Sequence, residues 1–292
     1  MTMSSRARVY LRLGRVSNLP TVWTNVLCGM ALAGSGVRAR EVALVGLAVS
    51  LMYVGGMFLN DAFDREIDAR ERPERPIPSG LVSAREVFAV GYALLGAGVL
   101  FVGGHAYAEG RGAAPALASA LLAGAIVLYD AWHKGNPLSP ALMGLCRVLV
   151  YVTAALAAGG QLGIAVIGGG LALLFYLIGL TAIAKQENLL AVRSLWALGF
   201  MAVPFLYTMG TPLTGVVGLV AYGALAGCVL HAIRLLRGTR RDRIPRAVVT
   251  LIAGISLLDA VLIARSGASG AAALAMLGFP LTLAMQRVVR GT

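Results

Sequence analysis

Asn60, Asp61, Asp64 and Asp68 stand in the pattern Asn-Asp-x-x-Asp-x-x-x-Asp at the end of an apolar run, Val42 to Leu59. On a helix advancing 100° per residue, with Asn60 at 0°, Asp64 falls at about 40°, Asp68 at about 80° and Asp61 at about 100°. One carboxamide and three carboxylates therefore share about a quarter of the helix circumference. Without a cation, three such carboxylates repel and raise one another's pKa. A hard cation relieves that repulsion, and Mg²⁺ is held by a few carboxylates together with substrate phosphate oxygens. Asp64 and Asp68, four residues apart, can hold one cation between them, and Asn60 and Asp61 extend the surface inward. Glu66 points away as a solvated partner for Arg70. Downstream, Arg72 and Arg75 can fork onto phosphate oxygens or anchor to lipid headgroups, while Pro76, Pro78 and Gly80 supply a stiff turn. Ionised groups at a membrane boundary are costly and usually functional. The pattern therefore reads as a magnesium–pyrophosphate site at the mouth of a membrane cavity, with Asp61, Asp64 and Asp68 as metal ligands.

A second polar cluster, Tyr129-Asp130-Ala-Trp132-His133-Lys134-Gly-Asn136-Pro137, ends a later apolar run. Lys134 offers phosphate a point charge; it also makes an ordinary i,i+4 pair with Asp130. Trp132 suits an interfacial belt. Arg147 lies inside an apolar run, where a base needs a partner, and is expected to face the cavity. Asp259 follows the same logic, with no partner visible in sequence. His105 and His231 read as interfacial or satisfied core groups.

The elements that must position these residues follow from composition. The 292 residues are 58% hydrophobic and only 13% charged, where a soluble domain carries about 25% charged residues. Apolar runs recur at roughly 17–35, 42–60, 86–106, 113–131, 138–158, 162–184, 194–210, 213–234, 246–264 and 269–286. The expectation is an all-α, polytopic transmembrane bundle of nine to ten spans, forming one domain over residues 1–292. The 37 glycines suit close helix packing in lipid. The formal charge of +12 could suggest nucleic acid, but the bases sit between apolar runs, where topology and anionic lipid explain them. Of the 25 lysines and arginines, 20 fall on the side of both termini and the acidic stretch, and four on the other. The positive-inside rule then places both termini in the cytoplasm, in the cell membrane. The basic loop 235–245 reads as a topology anchor, or alternatively as a steering patch for an anionic substrate. Cys28, Cys146 and Cys228 all lie in apolar runs, without metal-site spacing. The start of the chain lacks the pattern of a cleaved signal peptide.

Taken together, Asn60, Asp61, Asp64, Asp68, Arg75, Pro76 and Gly80 resemble the first aspartate-rich motif of the UbiA superfamily of intramembrane prenyltransferases. The form Arg-Pro-Ile-Pro-Ser-Gly is similar to members making archaeal-type ether lipids and to UbiA-like proteins of bacterial ebo-type clusters. Arg15 and Asn25 look like the family's first-helix entry, and Tyr129 and Lys134 match its cavity Tyr and Lys. The resemblance implies about nine helices around a central cavity open to the cytoplasm. It also implies Mg²⁺, a polyprenyl diphosphate donor and an aromatic or other nucleophilic acceptor. One departure stands out. Where family members carry a second aspartate pair, this chain reads Thr181-Ala-Ile-Ala-Lys185-Gln186-Glu187-Asn188. Lys185 is placed to neutralise pyrophosphate charge, and Glu187 either binds one metal or pairs with Lys185.

The leading expectation is an integral-membrane prenyltransferase that releases pyrophosphate, with catalysis on Asp61, Asp64, Asp68 and Lys134. Asn25, Asn60, Arg72, Arg75, Tyr129, Arg147, Lys185 and Glu187 are expected to bind substrate. The altered second motif favours one rival, a UbiA-like carrier that binds or moves a lipid or metabolite without chemistry. A secondary transporter using Arg147 and Asp259 is a further rival, weakened by the lack of internal repeats.

Overall fold

The computed structural model describes residues 5–186, 196–209, 215–238 and 242–289, all of it helix, turn or loop. An N-terminal helix α1 (Ser5–Leu13) and a 3₁₀ turn (Val16–Asn18) lead into α2 (Leu19–Leu32) and α3 (Ala39–Phe63). A short α4 (Arg65–Glu71) follows, then α5 (Ala84–Ala108), α6 (Ala114–Trp132), α7 (Ser139–Ala157) and α8 (Ile164–Ala184). A 3₁₀ segment (Trp196–Ala202) and α9 (Val203–Met209) precede α10 (Gly215–Arg237), α11 (Arg243–Arg265) and α12 (Ser269–Val288). The starts follow local chemistry. Proline opens α2, α6 and α7, where its missing N–H costs nothing. Ser83 caps α5 by accepting from the Glu86 amide at 3.2 Å.

Eight of these helices, α3, α5 to α8 and α10 to α12, are long and apolar enough to cross a membrane. The protein is thus a multi-pass membrane bundle. Two expected spans need correction. The first, α2, has 14 residues, about 21 Å of helix, short of the roughly 30 Å hydrocarbon layer; it is sheathed by α3, α7, α11 and α12. The other is the expected 194–210 span, whose described part is two seven-residue pieces and no long helix. It nonetheless returns the chain to the far end. Lys185 lies at the end that holds Asp64 and Lys134, whereas the Tyr207 carbonyl accepts from Arg265, at the opposite end of α11, at 3.0 Å. Among the described residues, eight long helices, the short α2 and this broken segment thus make up the bundle. Gln286 donates to the Asn18 side chain at 2.7 Å.

Two apolar clusters divide the interior. One joins α2, α7, α8, α10, α11 and α12; the other joins α2, α3, α5, α6 and α7. Close helix approach relies on glycine. A Cβ on Gly29 of α2 would lie 2.6 Å from the Tyr151 carbonyl of α7, and one on Gly55 of α3 would lie 2.7 Å from the Gly91 carbonyl of α5. Leu100, Leu117, Leu219 and Leu277 point outward, as lipid-facing residues of spanning helices do. At the end away from Asp64, the buried Glu41 is clasped by Arg111, at 3.0 and 3.1 Å, and by His105 at 2.7 Å. His105 is therefore a satisfied structural group that pins α3 to α5 and the loop after it.

Candidate active site

Between the two clusters lies a cavity of about 330 Å³. Its depth is apolar, lined by Val49, Met52, Leu122, Val150 and Ile255. Its mouth is polar, lined by Arg15, Asn60, Asp64, Arg72, Arg75, Asp130, His133 and Lys134. The mouth is where α3, α6 and α8 end and α7 and α11 begin, so chain geometry alone gathers Asn60 and Lys134 there and sets Lys185 beside it. Asn60, Asp61, Asp64 and Asp68 are each under 10% exposed.

The aspartates are not on one unbroken helix. Asp64 ends α3 and also heads α4, and the break changes how the three carboxylates are used. Asp61 is held by Arg15 at 3.0 Å and Arg75 at 3.2 Å. Asp68 is held by Arg75 at 2.8 Å, through the same guanidinium nitrogen. Asp64 turns to the other wall, 3.2 Å from Lys134 and 3.4 Å from His133. No group of three or more His, Cys, Asp or Glu converges as a metal cage among the described residues; Asp61 and Asp68 meet on Arg75, and Asp64 stands apart on Lys134. The donor chemistry still fits a hard cation. Asp61 and Asp68 are oxygen donors close enough to share one cationic nitrogen, and Asp64 borders the cavity into which substrate phosphate oxygens would project. Mg²⁺ needs no more than one or two carboxylates beside such oxygens.

Electrostatics separate the carboxylates as well. Burial pushes Asp64 up, but His133 and Lys134 outweigh it and hold its pKa below the ordinary carboxylate value. For Asp68, burial is the largest influence; with Asp61 and Asp64 nearby it outweighs Arg75, and the pKa is raised. Burial lowers the pKa of Lys185. Lys185 donates to the Asn136 carbonyl at 2.8 Å and lines a second, polar hollow beside the mouth, with Arg70, Glu71, Arg72 and Lys134. Lys185 is absent from the walls of the main cavity, so its expected place against substrate there is not realised. Glu187 lies outside the described residues.

Arg15 is positioned by unusual backbone. It is the one non-glycine residue with positive φ among those described, at φ 42°. This left-handed conformation is sparsely populated and clusters at functional sites. It breaks the chain after α1 and turns the guanidinium onto Asn60 at 3.1 Å as well as Asp61. Tyr129 lines the cavity, and its ring stacks on His133 with centroids 5.0 Å apart. Lys134 pairs with Asp64 and not with Asp130, correcting the i,i+4 expectation. Asp130 instead accepts from the Asn60 amide at 3.2 Å.

Deeper, Arg147 lines the cavity and has its partners. It donates to Asn25 at 2.8 Å and Thr21 at 3.2 Å, and sits 5.6 Å from the Tyr53 ring. Asn25 is fully buried and absent from the cavity wall, so its expected substrate contact is corrected. It relays Arg147 to Asp259, donating to that carboxylate at 2.8 Å. Tyr151 donates to the other Asp259 oxygen. Asp259, without a visible partner in sequence, is thus the buried anchor of a relay spanning α2, α7 and α11. Sequence reasoning also passed over His133 and Asp130 as site residues. The available signal was an acid and an imidazole in the last turns before a membrane boundary.

A sequence model of the UbiA prenyltransferase family matches residues 22–291. The digeranylgeranylglyceryl phosphate synthase of Ignicoccus hospitalis is 42% identical over 100 residues, covering 34% of this chain and 32% of that protein. The chain spans about a third to a half of the length of the curated relatives it matches. Among solved structures, the apo UbiA homolog of Aeropyrum pernix K1 superposes with a TM-score of 0.63 at 19% identity, covering 85% of this chain and 96% of that one. The UbiA homolog of Archaeoglobus fulgidus bound to DMAPP and Mg²⁺ gives 0.52 at 16% identity, covering 96% and 99%. At these identities the structural likeness is one of fold.

Proposed function

Because the chain belongs to the UbiA prenyltransferase family, we propose that it transfers a prenyl group from a polyprenyl diphosphate to a small acceptor and releases pyrophosphate. The observation that carries this reading is the polarity of one cavity. Its mouth gathers Arg15, Arg72, Arg75, His133 and Lys134, and its depth is apolar. A diphosphate with an isoprenoid tail has that same division.

In this reading Arg72, Lys134 and Arg75 take phosphate oxygens at the mouth, Arg by its fork and Lys as a point charge. Arg72 suits this best, its guanidinium having no ion-pair or hydrogen-bond partner among the described residues. Arg147 adds positive charge deeper in the wall. The apolar helices hold the tail and keep water from the electron-poor allylic carbon. Asp61, Asp64 and Asp68 are the residues that would hold Mg²⁺. Bound there, the ion would neutralise charge on the leaving diphosphate. The relatives' name points to an acceptor bearing glycerol phosphate, and the hollow lined by Arg70, Arg72, Lys134 and Lys185 suits such an anion. The base asymmetry of the loops supports a cytoplasmic mouth and cytoplasmic termini.

The test is incubation of the purified protein with a labelled prenyl diphosphate and Mg²⁺, offering a glycerol-phosphate monoether lipid and 4-hydroxybenzoate in turn. Labelled lipid product with one of them supports transfer. Retention of intact diphosphate without turnover, whatever the acceptor, favours the carrier reading instead.

A further inference from the structure

One carboxylate at the mouth plays no part in the arrangement above. Asp130, in the last turn of α6, is 3% exposed and lines the cavity. Its Oδ1 accepts from Asn60 at 3.2 Å, while its Oδ2 is buried without a hydrogen-bond partner. A buried, unsatisfied carboxylate oxygen is costly, and each such group in a native structure asks for a reason. The neighbouring donors are committed elsewhere. Arg15 serves Asn60 and Asp61, and His133 Nε2 and Lys134 serve Asp64. The oxygen lacks a donor, and Asp130 lines the cavity through which one would arrive.

We propose that Asp130 Oδ2 accepts the hydrogen bond of the acceptor's hydroxyl group and takes its proton during transfer. This rests on the prenyl-transfer reading. The acceptor oxygen forms a bond to the allylic carbon, and its O–H proton passes to Asp130. The bond from that carbon to the diphosphate oxygen breaks, and pyrophosphate leaves with the electron pair. Atoms and charge balance without a further reactant. Asp130 thereby selects the class of acceptor: an alcohol or phenol alkylated on oxygen. The Asn60 amide ties this proton acceptor to the Arg15–Asp61 cluster, so one hydrogen-bonded network holds both the nucleophile's end and the diphosphate's end of the site.

The test uses the full chain in lipid nanodiscs, with labelled geranylgeranyl diphosphate as donor. The acceptor probe is a glycerol-phosphate monoether lipid with a free secondary hydroxyl, paired with its deoxy analogue. The wild type is expected to bind the hydroxyl lipid about tenfold more tightly than the deoxy lipid, as one hydrogen bond to a buried oxygen implies. Asp130→Asn is expected to lose on the order of 10²-fold in kcat while binding the donor as the wild type does, which also shows that it folds. Unchanged kcat in Asp130→Asn overturns the inference. So does failure of the wild type to prefer the hydroxyl lipid, a comparison that needs no variant. If the wild type releases no pyrophosphate with any acceptor, the transfer reading fails, and the paired-lipid binding still decides whether Asp130 reads a hydroxyl.

Discussion

Replacing Arg75 by methionine removes the cation that Asp61 and Asp68 share. Both oxygens contact the same guanidinium nitrogen, at 3.2 and 2.8 Å, so they lie no more than about 6 Å apart. At an effective dielectric of about 20, two unit charges at that distance repel by about 3 kcal/mol. The side chains are only 17%, 10% and 5% exposed, so water relieves little of this. Asp61 keeps Arg15, whereas Arg75 is the only cation paired with Asp68 among the described residues. The variant should therefore melt several degrees below the wild type in detergent without divalent ions. Mg²⁺ should restore it, because a divalent ion can take the position between the two carboxylates that Arg75 holds. The stabilisation by Mg²⁺ should be larger in Arg75→Met than in the wild type, and Ca²⁺, which demands more ligands, should restore less. Acid should narrow the deficit too. The pKa of Asp68 is already raised in the fold, so lowering the pH protonates it more readily than an ordinary carboxylate and removes the repulsion. Thermal unfolding followed by fluorescence, with and without Mg²⁺, reads all of this. A variant that gains no more from Mg²⁺ than the wild type would refute the claim that these carboxylates are a cation site.

Asp64→Asn should lower kcat/KM by about 10²-fold or more, the scale for losing one preorganised charge at a leaving group, as measured by pyrophosphate release. Asp259→Leu strips the acceptor from Asn25 and Tyr151 and leaves Arg147 without its relay; a loss of about 3 kcal/mol or more in unfolding free energy is expected. The double variant Asp259→Leu, Arg147→Met should recover part of that loss, and strict additivity would contradict the relay. Gly29→Val places side-chain atoms where a Cβ alone meets the Tyr151 carbonyl at 2.6 Å. It should cost about 1–3 kcal/mol, seen as a lower melting temperature. Arg72→Ala should weaken binding of labelled prenyl diphosphate with little change in melting temperature, since the Arg72 guanidinium has no partner to lose among the described residues.

The parts of this molecule that were legible in sequence are those set locally. Apolar run lengths located the helices, and the run of bases at one end of them located the mouth. The Asn60-to-Asp68 spacing found the acidic residues beside it, of which Asp64 lines the cavity. What was not legible is set by partners far away in the chain. Asn25 looks like a first-helix cavity residue until Asp259, from α11, arrives 2.8 Å from it. Lys134 looks like the mate of Asp130 until the end of α3 presents Asp64. The short α2 reads as a full span because burial inside a bundle and exposure to lipid select the same apolar residues. The break at Asp64 carries no proline or glycine to announce it. Arg15 shows no mark in sequence of its left-handed backbone, a conformation that the surrounding contacts must impose.

The central claim is that this cavity breaks the bond between a prenyl group and its diphosphate. It is tested most directly by following pyrophosphate release from labelled prenyl diphosphate by the purified protein. The account predicts release that requires Mg²⁺ and an acceptor, and that nearly disappears in Asp64→Asn. Tight binding of the diphosphate with no release across the acceptor panel, or release indifferent to both Mg²⁺ and Asp64, would contradict it.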